Sequence, residues 1–127
     1  MYKVDVSCKE GSTFNVTSGA AKMTIDTAEK NNMSPLHALL GALGACAGVF
    51  LRRYADDMKL PIGEFSISVS ADLVKAPQMI FKKIDISIDL NGVELDAQKK
   101  EGLMRFVQHC PVGNTLRGNP EIGFELK

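Results

Sequence analysis

Residues 31–51 carry no formal charge, a run long enough to make either a membrane span or a helix enclosed by the rest of a soluble domain. Asn31, Asn32, Ser34, Pro35, His37 and the glycines at 41, 44 and 48 interrupt it, which favours the enclosed helix and no membrane association. Ser34 followed by Pro35 is a helix start, a hydroxyl cap and then a residue whose fixed φ and missing N–H suit the first turn. Apolar periodicity continues from there to about Met58. At about 100° per residue, Leu36, Leu39, Leu43, Phe50 and Tyr54 fall on one arc, and Gly41, Gly44 and Gly48 lie nearly opposite. An interior glycine costs a helix about 1 kcal/mol relative to alanine. A row of them predicts close helix packing, within the chain or between two copies, where no Cβ stands in the way.

Around this helix the pattern is that of strands. Short runs at Val4 to Cys8, Thr13 to Val16 and Ala21 to Ile25 are punctuated by Gly11 and Gly19. Phe65, Ile67, Val69, Ala71 and Leu73 alternate with Ser66, Ser68, Ser70 and Asp72. Ile84, Ile86, Ile88 and Leu90 alternate in the same way until Asn91-Gly92, so these two stretches predict an antiparallel hairpin closed by a loop containing Pro77. Asp96 caps a second helix in which Leu103, Phe106, Val107 and Cys110 recur at helical spacing, with Pro111 as its stop. A strand from Ile122 to Leu126 is predicted last. The fold class is α+β, with helices gathered on a largely antiparallel sheet, and residues 1–127 are expected to form a single domain.

Equal numbers of acidic and basic side chains, 15 each, leave no net field for nucleic acid or an anionic membrane, so neither is an expected partner. The N-terminus lacks a basic segment followed by an apolar stretch, and the expected location is the cytoplasm. Three cysteines in a reducing compartment argue for free thiols or a transient bridge rather than a structural disulfide framework.

Cys46 is set at the edge of the bulky arc of the long helix, and Cys110 on the apolar stripe of the second. Each alone reads as a small core side chain; two on inward faces of different helices also fit an attacking and a resolving thiol. Spacing leaves both readings open. Neither Cys-x-x-Cys nor a Cys/His group with zinc spacing occurs, so no metal or cofactor is expected. His109 reads as a surface residue and Cys8 as a structural one. His37 points almost opposite to Cys46 on the same helix, which disfavours a Cys/His dyad.

Ser34-Pro35, Leu39 with the small-residue run to Ala45-Cys46, and Cys110-Pro111-Val112-Gly113-Asn114 together resemble the OsmC/Ohr group, the osmotically inducible and organic hydroperoxide resistance proteins. The resemblance covers nearly the whole chain. It implies an intertwined homodimer with the long cysteine helices packed centrally and sites at the subunit interface. It also implies thiol peroxidase chemistry, in which Cys46 attacks an organic hydroperoxide, Cys110 resolves the sulfenic acid, and a dithiol reductant regenerates the pair.

Peroxidase members activate the attacking thiolate with an arginine from the N-terminal strands, held by a glutamate that directly follows the helix-start proline. Here that position is Leu36, and no arginine precedes Arg52. Lys22 and Arg53 are the substitutes the sequence offers. Two other readings stand beside the peroxidase: a module of the same fold that binds an apolar small molecule, and a disulfide-exchange or redox-sensing protein.

Overall fold

In a computed structural model, which describes residues 1–28 and 30–127, the chain forms two compact units, Met1–Gly41 and Ala42–Lys127. The first holds β1 (Asp5–Ser7), β2 (Thr13–Ser18) and β3 (Ala21–Asp26), an antiparallel sheet in the order β1-β2-β3. Gly19, at φ 60°, makes the tight turn between β2 and β3, where a side chain would be strained. Below β3, Asp26 ties the sheet to its own loop: its carboxylate accepts from Ser12 Oγ at 2.8 Å, Thr13 Oγ1 at 3.0 Å and the Ala28 N–H at 2.9 Å. These bonds to the ionised form, the Ala28 amide first and the Ser12 hydroxyl next, hold the Asp26 carboxyl below the usual carboxylate range.

The unit boundary falls within α1 (Pro35–Asp57). Ser34 caps this helix as expected, its Oγ accepting the His37 N–H at 3.2 Å. The buried stripe is Leu43, Ala47, Leu51 and Ala55, an i+4 row, and not the arc of largest side chains: Leu36 and Leu39 are exposed and Phe50 and Tyr54 half-buried. By length and composition α1 could cross a membrane, yet here Ala47, Leu51 and Ala55 pack into a protein core with Ile62, Leu103 and Val107.

The glycines of α1 divide by position. A Cβ on Gly44 would come 2.9 Å from Val69 Cγ2, and one on Gly48 would meet Ile67 and Phe65 at 3.5 and 3.7 Å. Within the chain, the close approach is therefore with side chains of a strand and of Phe65 just before it. Gly41 has open space where its Cβ would be.

That strand is β4 (Ser66–Val74), paired antiparallel with β5 (Ile80–Asp89) from Ser66↔Asp89 to Val74↔Ile80, with an irregularity between Ala71 and Leu73. Alternation of half-buried and exposed residues along β4 follows the sequence pattern, and Asn91, at φ 58°, turns the chain away after β5. The strands make two sheets, one in each unit, where one largely antiparallel sheet was expected.

Asp96 caps α2 (Ala97–Val107), accepting the Lys99 N–H at 2.8 Å. Leu103 and Val107 enter the core, and Phe106 stacks on Phe50 and tilts against Tyr54, each at a centroid distance of 5.2 Å. Such ring pairs contribute about 0.5–1.5 kcal/mol beyond the area they bury. The Tyr54 hydroxyl occupies the space a side chain at Gly102 would need, so α1 and α2 approach closely there. Full burial of Leu51 and Leu103 stabilises this unit by roughly 1.5–3 kcal/mol each.

Two expectations fail beyond α2. Pro111 does not merely stop a helix; it opens another, α3 (Pro111–Gly118), as a proline at the first helical position can. Ile122 to Leu126 forms no strand, because alternation supplies side chains but a strand also needs a neighbouring backbone to bond.

Candidate functional site

Around Cys110 the second unit gathers a buried thiol, a helix start and a guanidinium. This cysteine is not the last turn of α2, as the heptad-like spacing suggested, since α2 ends at Val107 and the chain turns through Gln108 and His109. Cys110 is instead the N-cap of α3, extended at φ −65° and ψ 148°, and its Sγ accepts the Gly113 N–H at 3.4 Å. Its carbonyl accepts the Asn114 N–H at 2.9 Å, the first turn of the new helix. A sulfur in place of the usual Ser, Thr, Asp or Asn satisfies one orphan amide at the helix start. Cys110 is 2 % exposed.

Cys46, in the middle of α1 and half-buried, is brought to this sulfur from 64 positions earlier in the chain (110 minus 46). It lies close enough to Cys110 to disfavour a negative charge on that sulfur. Both cysteines are free thiols. Burial pushes the Cys110 thiol up from its ordinary range, and Cys46 adds to that; the Gly113 N–H and the nearby Arg117 guanidinium pull the other way. The net direction is upward, so Cys110 holds its proton at neutral pH.

Arg117 was missed by sequence reasoning, which looked for a cation before the long helix or along it. The signal was present: Pro111 at a helix start puts residue 117 about two turns along that helix, near the face of its cap. Its guanidinium donates to the Gln108 carbonyl and, at 3.2 Å, to Asn114 Oδ1, while Asn114 Nδ2 donates to the His109 carbonyl at 3.0 Å.

The other sequence-selected residues lie elsewhere. Arg53 stacks over Phe50 at 5.1 Å, and Arg52 donates to the Ile62 carbonyl at 2.8 Å and to the Gly63 carbonyl while covering Phe65. Lys22 is an exposed residue of β3, in the first unit. Leu36 is exposed in the first turn of α1. His37 shares a hydrogen bond of 2.8 Å between its Nδ1 and Ser34 Oγ, and His109 is exposed. Cys8 is neither in a strand nor structural in the sense expected: it follows β1, is exposed, and reaches the Gly11 carbonyl at 3.6 Å. Among the described residues no group of three or more His, Cys, Asp or Glu side chains is placed to hold a metal ion.

A family model described as OsmC-like protein matches residues 13–125. The fold is similar to that of an OsmC-like protein from Mycoplasma pneumoniae, with a TM-score of 0.79 and 21% identity over 93% of this chain and 88% of that one. The organic hydroperoxide resistance protein OhrB of Bacillus subtilis matches with a TM-score of 0.59 and 22% identity, covering 99% of this chain and 98% of its own. An organic hydroperoxide resistance protein OsmC from Legionella pneumophila gives 0.62 and 19% identity over 94% and 92%. No curated protein matches the chain.

Proposed function

This chain belongs to the OsmC-like protein family, and from that premise we propose that it reduces organic hydroperoxides with Cys46 as attacking thiol and Cys110 as resolving thiol. The observation that carries this reading is the convergence of the two sulfurs from different helices within one unit. Names borne by structural relatives, organic hydroperoxide resistance proteins among them, support the substrate class.

The half-exposed Cys46 meets peroxide first, because Cys110 is shielded. Its thiolate attacks the terminal peroxide oxygen: the S–O bond forms, the O–O bond breaks, and the alkoxide leaves to be protonated as an alcohol. Cys110 then attacks the Cys46 sulfenic acid. The S–S bond forms, the S–O bond breaks, and the Cys110 proton goes out with the hydroxide as water. An external dithiol is oxidised to its own disulfide as it returns the pair to thiols. On this reading the chain works in the reducing cytoplasm, where such a reductant is supplied.

The family's usual activating arginine and glutamate have no counterpart at the positions the sequence aligns, Leu36 standing in the glutamate's place. Oxidation is consequently expected to be slower than in members that keep them, since an unassisted cysteine is only a few per cent thiolate at about pH 7. The protein is further proposed to act as a homodimer, which the exposed apolar side chains of Ile122, Phe124 and Leu126 support.

Stopped-flow mixing of the purified protein with cumene hydroperoxide tests the reading. A Cys46–Cys110 disulfide forming faster than free cysteine oxidises, and absent in Cys46→Ser, is the expected result. A rate no better than free cysteine would overturn it, and an apolar ligand retained in native mass spectra would then favour the binding module.

A further inference from the structure

Two features beside the sulfur of Cys110 favour negative charge on it, the Gly113 N–H and the Arg117 guanidinium, and these deepen the reading of a Cys46–Cys110 pair, on which the inference rests. Gly113 donates its N–H to the sulfur at 3.4 Å, at the start of α3. A Cβ on Gly113 would sit 3.2 Å from Cys110 Sγ and 3.3 Å from Arg117 Nη1. Sulfur and guanidinium thus flank one bare backbone position and are no farther apart than the sum of those distances. Of titratable and charged groups, α1 contributes Cys46 and α3 contributes Arg117. The end of α2 holds the apparatus in place, the Gln108 carbonyl binding Arg117 and the His109 carbonyl binding Asn114, which in turn binds Arg117.

Cys110 is buried and Cys46 is the more accessible sulfur, so a reductant reaches Cys46 and Cys110 is the sulfur that leaves. We propose that Arg117 stabilises the negative charge that develops on Cys110 Sγ and so speeds reduction of the Cys46–Cys110 disulfide. In that step the thiolate of an external dithiol attacks Cys46 Sγ, a mixed disulfide forms on Cys46, and the Cys46–Cys110 bond breaks with its electron pair on Cys110 beside the guanidinium. The second thiol of the reductant then displaces Cys46, leaving the reductant as disulfide, and both protein sulfurs take up protons. A thiol leaves faster the more stable its anion, and the guanidinium offsets part of what burial and Cys46 cost the Cys110 anion. Arg117 acts as a positioning residue for charge, not as a group that bonds to substrate.

The test uses full-length chains. With Cys8→Ser and Cys46→Ser, Cys110 is the lone thiol, and its titration is read as ultraviolet thiolate absorbance against the same chain carrying Cys110→Ser. Arg117→Gln is expected to raise the midpoint by about one pH unit, and Arg117→Lys to restore most of the difference. In the Cys8→Ser chain, Arg117→Gln is expected to slow reduction of the Cys46–Cys110 disulfide by dithiothreitol roughly threefold. Should Arg117→Gln fail to fold by circular dichroism, salt decides in the parent chain: an exposed guanidinium is screened, so the Cys110 midpoint rises with ionic strength. An unchanged midpoint in Arg117→Gln, an unchanged reduction rate, or a salt-insensitive midpoint in the parent chain overturns the proposal. None of these measurements uses a hydroperoxide. A chain that titrates and reduces as expected but ignores hydroperoxide supports the role of Arg117 and removes the peroxidase reading alone.

Discussion

At the scale of single residues, the charges that matter are few and each has a local cause. Asp26 is the example outside the thiol site, since three donors favour its ionised form in the folded chain. Its folded pKa is depressed, so its contribution to stability is fully present above the unfolded value of about 3.9 and is lost as pH falls through the lower folded value. Urea unfolding between neutral and strongly acidic pH should therefore show a loss of stability below about pH 4 that Asp26→Asn reduces. An identical acid profile in the variant would remove Asp26 as its source. Which cysteines form the candidate pair was legible in the sequence, because Cys46 and Cys110 sit in distinctive surroundings. Arg117 was not, because its value depends on α3, and α3 begins at a Cys-Pro step that reads equally well as an ending.

At the scale of elements, alternation and capping determined most of what could be read. Ser34 and Asp96 start their helices, and β4 and β5 pair as their period-two pattern requires. Periodicity did not identify neighbours: the glycine arc of α1 was legible, its partner β4 was not. Nor did side-chain size identify burial, since Ala47 and Ala55 are in the core while Leu36 and Leu39 are exposed. Gly44 gives the sharpest prediction. Alanine there gains about 1 kcal/mol of helix propensity, but its Cβ would come 2.9 Å from Val69 Cγ2, and overpacking costs about 1–3 kcal/mol. Gly44→Ala should lower stability on balance. Val69→Ala should remove that penalty in a double-mutant cycle measured by denaturant unfolding. Additive effects of the two changes would show that the contact is not the cause.

At the scale of the whole molecule, the family was legible because its signature is spread over distant segments, and the family model covers residues 13–125 accordingly. The last strand was not obtained from the alternation of Ile122, Phe124 and Leu126, which are 74%, 96% and 98% exposed. Side chains of that size left in water are the clearest argument for the proposed second copy. Sedimentation equilibrium is expected to give twice the 13.8 kDa chain mass, and Phe124→Ser with Leu126→Ser to shift the distribution towards the single chain. A monomer at micromolar concentration in the unaltered protein would count against the dimer.

The N-cap position of Cys110 also decides how its chemistry can be separated from its architecture. Serine is among the best residues for that position, so Cys110→Ser keeps an acceptor for the Gly113 N–H while removing the sulfur. Alanine there would leave the amide without its acceptor and loosen the start of α3, at a cost of about 1 kcal/mol. A serine and an alanine at the same site thus form an internal standard: what both lose belongs to the thiol, and what alanine alone loses belongs to the helix.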